Sequence, residues 1–63
     1  MDWKYYEGRK VWVVLKNKRN YSGKIIDIDI EAKPIVFITM LDKFSKRIIF
    51  TATEIEVIQE ERE

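Results

Sequence analysis

Residues 19–30, RNYSGKIIDIDI, form the longest β-prone run of the chain, with Gly23 in its interior and the sole proline, Pro34, shortly after it. A strand this long does not stay flat in a chain of 63 residues, and a glycine inside a strand marks a bend, a bulge or a close backbone approach. The side-chain pattern changes phase within the run. Tyr21, Gly23 and Ile25 share one face, whereas Ile26, Ile28 and Ile30 share the other. A strict period of two cannot place both sets in one core, so a bulge or sharp coil is expected between Gly23 and Ile26. The strand then folds over itself and serves two sheets of a small barrel. Asp27 and Asp29 face outward in this reading. With no third ligand nearby, they read as a solvated face rather than a metal or acid–base pair.

The remaining chain supplies short strands around this one. Residues 1–8, MDWKYYEG, allow a single helical turn capped by Asp2, with Trp3 and Tyr6 three apart on one face and Gly8 as its stop. The turn is too short to stand alone and is expected to lie over a barrel mouth. Its aromatics Trp3, Tyr5 and Tyr6 are either that lid or a stacking platform. Residues 9–16, RKVWVVLK, read as a strand that is apolar on both faces, followed by a polar turn at Asn17-Lys18 in which Asn17 tolerates positive φ. Residues 31–34 connect to a continuous apolar strand at 35–41, IVFITML. A hairpin turn at 42–46 carries Phe44 at its tip, where the ring either stacks on a base or folds back onto the hairpin. Residues 47–51, RIIFT, return. A tight corner at 52–54, with Thr53 able to cap it, leads to a short last strand at 55–58 with Glu56 outward, and 59–63 form a charged tail. Five closely spaced strands with one long bent member imply an all-β, strongly bent five-stranded barrel of SH3-like or OB-like build, a single domain over residues 1–63, and the single turn before the last strand suits the SH3-like order.

Composition removes whole classes of function. The chain has no cysteine and no histidine, which excludes disulfides and thiolate metal sites and takes away the commonest metal ligand and general base. Ser22 and Ser45 have no base beside them, and no glycine-rich phosphate loop is present. No enzyme activity, cofactor or small-molecule substrate is therefore expected. Charged residues make up 37% of the chain with a net charge of +1, so bulk charge alone does not carry nucleic-acid binding. The charge is unevenly spread, however, with an excess of lysine and arginine before residue 25 and of glutamate after residue 53. Ten isoleucines, abundant Lys and Glu and only three amide side chains fit a thermophile-like bias. No apolar run reaches membrane-spanning length and no signal-peptide core is present; the expectation is a soluble cytoplasmic protein.

Read as one string, residues 11–37, VWVVLKNKRNYSGKIIDIDIEAKPIVF, resemble the first motif of the Sm-like (LSm) family in its small archaeal form. The matching elements are the strand ending in Leu15-Lys16, the turn at Asn17-Lys18, Tyr21, Gly23 and the ending Ile28-Asp29. The second motif resembles residues 47–58, RIIFTATEIEVI. The resemblance implies a short N-terminal helix, a bent five-stranded barrel, and homo-oligomeric rings in which the fourth strand of one subunit pairs with the fifth of the next. Ile48, Phe50, Ile55 and Val57 would then line the interface. Uridine-binding members carry an Asp or His, then Asn, just after the motif Asp, and an Arg-Gly pair before the last strand. Those positions hold Glu31 and Lys33, and Phe50 and Thr51, so the amide and guanidinium that read a base edge are missing. Lys33 keeps a phosphate contact open, and Phe50 a stacking one.

Two functions of different class remain. One is a nucleic-acid-binding module, RNA-directed by resemblance, with a degenerate uridine pocket. Its basic groups are Lys16, Lys18 and Arg19, with Lys24, on the first hairpin, and Lys43, Lys46 and Arg47 beside Phe44 on the second. The other is a scaffold or protein-interaction barrel that binds no nucleic acid, which the missing pocket residues and small net charge favour.

Overall fold

The computed structural model describes residues 2–61. After a 3-10 turn at Trp3–Tyr6 come five strands: β1 (Lys10–Leu15), β2 (Asn20–Asp29), β3 (Phe37–Asp42), β4 (Arg47–Thr51) and β5 (Ile55–Glu60), with a second 3-10 turn, Ala52–Glu54, between the last two. They form one antiparallel sheet in the order β4-β3-β2-β1-β5. β4 and β5 are its two edges and no ladder joins them, so the sheet is open within the single chain.

One face of the sheet carries the core: Val11, Val13 and Leu15 from β1, Ile25 and Ile28 from β2, Ile38 and Met40 from β3, and Phe50 from β4. The phase change in β2 is resolved at Ile26. Ile25 stands opposite Met40 and Asp27 opposite Thr39, leaving Ile26 as the extra residue of a β-bulge. Ile25 and Ile28 thereby both reach the core. The expected inward set of Ile26, Ile28 and Ile30 is corrected by the same bulge: Ile26 is displaced out of the ladder, Ile30 lies past the strand end, and both are exposed. Asp27 and Asp29 point to solvent.

At Gly23 the backbone of β3 comes close to that of β2. A Cβ there would collide with the Leu41 carbonyl oxygen and lie 2.8 Å from the Asp42 Cα. The need is for space and not for an unusual dihedral. Beyond Ile25 the β1 side of β2 is no longer covered by a strand, and the first turn takes over. Gly8 N–H donates to the Ile25 carbonyl at 2.7 Å, and Ile28 N–H donates to Glu7 Oε2 at 3.0 Å. That backbone donor, together with the Lys4 ammonium 3.0 Å from the same oxygen, holds the Glu7 carboxyl below the usual carboxylate range.

The N-terminal segment is capped as expected, with Asp2 Oδ1 accepting from Lys4 N–H at 3.1 Å and Gly8 at φ +83°. Trp3 and Tyr6 are half-buried against the core and act as its lid. Tyr5 is turned away from them: its hydroxyl donates to Glu60 at 2.8 Å, and the Arg9 guanidinium lies 4.2 Å from its ring centre. Arg9 also pairs with Glu60 at 3.0 Å. This anchoring, with Gln59 opposite Trp12 and Glu60 opposite Val11, extends β5 two residues beyond the expected strand end at 58, so Gln59 and Glu60 belong to the sheet and not to a tail. The rest of the expected tail beyond Glu61 lies outside the described residues. β3 begins at Phe37 and not at residue 35, because 35 and 36 finish the connection: Ile35 N–H bonds back to Ala32 and the Val36 carbonyl accepts from Ala52.

Both β-hairpins close by the same device, a three-residue loop whose last residue is left-handed. In the first, Lys18 N–H donates to Leu15 O at 2.9 Å and Leu15 N–H to Arg19 O at 2.8 Å. In the second, Ser45 N–H donates to Asp42 O at 3.0 Å and Asp42 N–H to Lys46 O at 2.9 Å. The positive φ falls on Lys18 (72°) and Ser45 (63°). Asn17, expected to take it, instead accepts from Arg19 N–H through its side chain at 3.0 Å. At the 52–54 corner the Thr51 hydroxyl and Glu54 carboxylate bond each other at 3.0 Å, so Thr51 rather than Thr53 opens the turn.

Replacing Gly23 with Ala forces β2 and β3 apart. A loss of about 1–3 kcal/mol is expected, the range for overpacking a tight site, seen as a lower urea midpoint with an unchanged slope.

Candidate nucleic-acid interface

The register decides which of the basic residues meet. β1 pairs with the start of β2, Val14 opposite Asn20, and the end of β3 pairs with the first half of β2, Asp42 opposite Gly23. The two hairpin tips, 16–18 and 43–45, therefore lie toward the same end of the sheet although far apart in sequence. Lys16, Lys18, Arg19, Lys43, Lys46 and Arg47 are all exposed there. Between the tips lies a shallow hollow of about 140 Å³, walled by Asn20 and Tyr21 on one side and by Lys43 and Phe44 on the other.

Phe44 does not fold back onto its hairpin. It is 72% exposed, with the Lys43 ammonium 5.4 Å from its ring centre. Asp42 braces the tip beneath it, its Oδ1 accepting from both Phe44 N–H and Lys46 N–H at 2.8 Å. The ring is thus presented on a fixed loop with the Lys43 ammonium beside it. On the other tip Lys18 reaches Glu56 on β5 at 3.1 Å. Both groups are exposed, and such pairs contribute little to stability.

Two residues fall away from this cluster. Lys33 lies in the 31–34 turn beyond the far end of β2, beside Asp29 and Glu31 and remote from the hairpin tips. Phe50 is a core residue, 3% exposed, standing opposite Ile38 in the β3–β4 ladder. Its ring has no face open to a base, and it lies on the opposite side of β4 from the solvent. The far end of the sheet has the opposite electrical character: Asp27, Asp29 and Glu31 line an open hollow with Lys4. The Lys4 ammonium is held above its ordinary value by its hydrogen bond to Glu7, with a smaller contribution from the charges of Asp27 and Asp29.

The edge strands show a similar redistribution. A second bulge, with Val14 opposite Val57 and Leu15 opposite Ile55, leaves Glu56 unpaired in the ladder. Ile55 and Ile58 then both pack on the core, so Ile55 and Val57 do not share a face; Val57 turns outward. On β4, Ile48 packs on the core and Ile49 is 67% exposed. The apolar groups that the two edges offer to solvent are therefore Ile49 and Val57. The sequence does not single out Ile49, because the apolar triplet 48–50 carries no phase of its own.

Among the described residues no group of three or more acidic, His or Cys side chains is placed to hold a metal ion. No helix among them is long and apolar enough to cross a membrane. No protein-family model matches the chain, and neither curated proteins nor solved structures give a match.

The two phenylalanines separate experimentally. Phe50→Ala should cost about 3–5 kcal/mol, as for a buried aromatic, whereas Phe44→Ala should change stability by no more than about 0.5 kcal/mol. Thermal or urea unfolding of both variants checks this.

Proposed function

We propose that this chain is a small Sm-like subunit that binds single-stranded RNA through its paired hairpin tips and self-associates through its edge strands. The observation that carries the RNA reading is that both hairpin tips, with six exposed cations between them, lie toward one end of the sheet, where Phe44 stands exposed with Lys43 against its ring. Single-stranded nucleic acid is held by such a combination, phosphates by lysine and arginine and a base by the face of an aromatic ring. Lys18 adds a second support. It occupies a left-handed position ordinarily given to Gly or Asn, at a conformational cost of about 1 kcal/mol. A lysine at this cost is accounted for where its charge is used, by Glu56 in the free protein and by phosphate in the complex.

The mode is backbone neutralisation plus stacking, with little base-edge reading, since the positions that would hold the amide and guanidinium carry Glu31, Lys33, Phe50 and Thr51. For the Sm-like barrel and its ring, the supports are the 3-10 turn ahead of five antiparallel strands, the bulge that bends β2, and the placement of β4 and β5 as unpaired edges. An open edge carrying an exposed Ile49, facing another edge with Val57, suits strand pairing between copies, in a head-to-tail sense that closes when the rotation permits. The subunit is a binding protein and not an enzyme in this reading.

Titration of a labelled mixed-sequence RNA 15-mer should show binding that weakens steeply as salt rises from about 50 to 200 mM, as counterion release requires. Lys18→Gly should weaken binding while leaving stability unchanged or raised, because it removes the charge and relieves the positive φ. Lys46→Ala and Phe44→Ala should weaken it further. Absence of binding at low salt overturns the RNA reading and leaves a scaffold. In sedimentation equilibrium the protein should have the mass of a closed oligomer, and Ile49→Lys should reduce it to a monomer; a monomeric parent protein at high micromolar concentration overturns the assembly.

A further inference from the structure

On the outer, solvent-facing side of the sheet the positive charge of the second hairpin continues inward from Arg47 to two lysines that neither hairpin tip includes. The ladder sets Lys10 directly opposite Lys24, Lys24 opposite Leu41, and Leu41 opposite Arg47. A row of three cations, interrupted by one leucine, thus crosses β1 to β4. Like charges directly opposite each other oppose sheet formation, so nothing in the stability of the fold calls for this arrangement. None of the three, nor Lys43 beside them, has an ion-pair partner among the described residues.

Beside this row is a hollow of about 560 Å³, open to solvent. Lys10, Lys24 and Lys43 stand around it, and Gly23 and Leu41 contribute to its lining. Two carboxylate residues also line it: Asp42, whose Oδ1 is taken up by the Phe44 and Lys46 amides, and Glu61. β5 ends against the hollow, with the Glu61 amide donating to the Lys10 carbonyl at 2.8 Å, and the Glu61 carboxylate accepts a hydrogen bond from the Ser22 hydroxyl. A carboxylate tethered among lysines occupies the place that the chemistry suits to a phosphate.

We propose that this hollow is a phosphate site for the RNA backbone, and that Glu61 is a built-in competitor that fills part of it in the free protein. The proposal rests on the RNA reading above and extends it. Lys43 belongs both to the second hairpin tip and to the hollow, so a strand stacked at Phe44 continues past Lys43 to Lys24 and Lys10. The Glu61 carboxylate must give way as a phosphate enters, which leaves the Ser22 hydroxyl free to donate to a phosphate oxygen.

The test uses the full chain, the same RNA 15-mer followed by fluorescence anisotropy over a range of KCl, and tripolyphosphate followed by amide NMR. Glu61→Gln keeps a hydrogen-bond acceptor for Ser22 but removes the competing charge, and should tighten RNA binding several-fold. Lys10→Gln with Lys24→Gln should weaken binding and reduce the slope of log K against log salt by about 1.4, two phosphate contacts at about 0.7 each on a single strand. Its melting temperature should be equal to the parent's or higher, because a like-charge pair is removed, which separates loss of a contact from loss of fold. Tripolyphosphate should shift the amide signals of Ser22, Gly23 and Leu41; if it does so while the RNA slope stays unchanged in the lysine variant, the hollow takes free polyphosphate and the RNA-backbone assignment is overturned. RNA binding with unchanged affinity in Glu61→Gln and unchanged slope in the lysine variant overturns the site and leaves the hairpin-tip reading standing. No RNA binding by the parent protein overturns both.

Discussion

The close approach of β2 to β3 at Gly23, followed by the bulge at Ile26, governs the rest of the molecule. The first allows the backbones to meet where any Cβ would strike the Leu41 carbonyl. The second shifts the phase so that Ile25 and Ile28 enter one core from a single strand. Without the shift, one of these two isoleucines would face water, and a chain this small has few others to replace it. The same bend carries the far half of β2 away from β1, and the vacated edge is closed by Gly8 and by the Glu7 carboxylate. The lid, the sheet and the placement of both hairpin tips therefore follow from one local distortion.

Much of this was legible in the sequence because β2 contains its own contradiction. Alternation that fails to stay in phase, next to an interior glycine, requires a bulge, and the bulge lies within the interval that the pattern marks out. The number of strands, the antiparallel hairpins and the capped N-terminal turn were equally legible from short-range signals. What the pattern does not contain is the phase of segments apolar on consecutive residues. In 48–50 three such residues stand in a row, and only the pairing of Phe50 with Ile38 decides that Phe50 enters the core and Ile49 leaves it. The bulge at Glu56 is hidden for a related reason, since Val57 and Ile58 are both apolar and only the pairing of Ile58 with Val13 decides which of them packs on the core.

The candidate site divides along the same line. Basic residues within one hairpin are adjacent in sequence and are recognised as a group. Lys10 and Lys24 become neighbours only through cross-strand register, as do Phe44 and Tyr21 across the hollow between the tips. Lys33 fails in the opposite sense: sequence motif logic attaches it to the functional set, while the length of β2 carries it to the far end of the sheet. Sites built across a ladder are written in the register, and register is a long-range property.

The separation of Asp27, Asp29 and Glu31 from the cationic hairpin end has a kinetic meaning. Excess charge of opposite sign at the two ends of a small body gives it an electric dipole even when the net charge is +1. In the field of a polyanion such a molecule turns before it touches, so that its hairpin tips lead and its acidic end trails. Orientation of that kind raises the fraction of collisions that are productive, and it weakens as the Debye length shrinks with added salt. A nearly neutral chain can in this way be oriented by a polyanion without the indiscriminate attraction that a strongly basic protein shows.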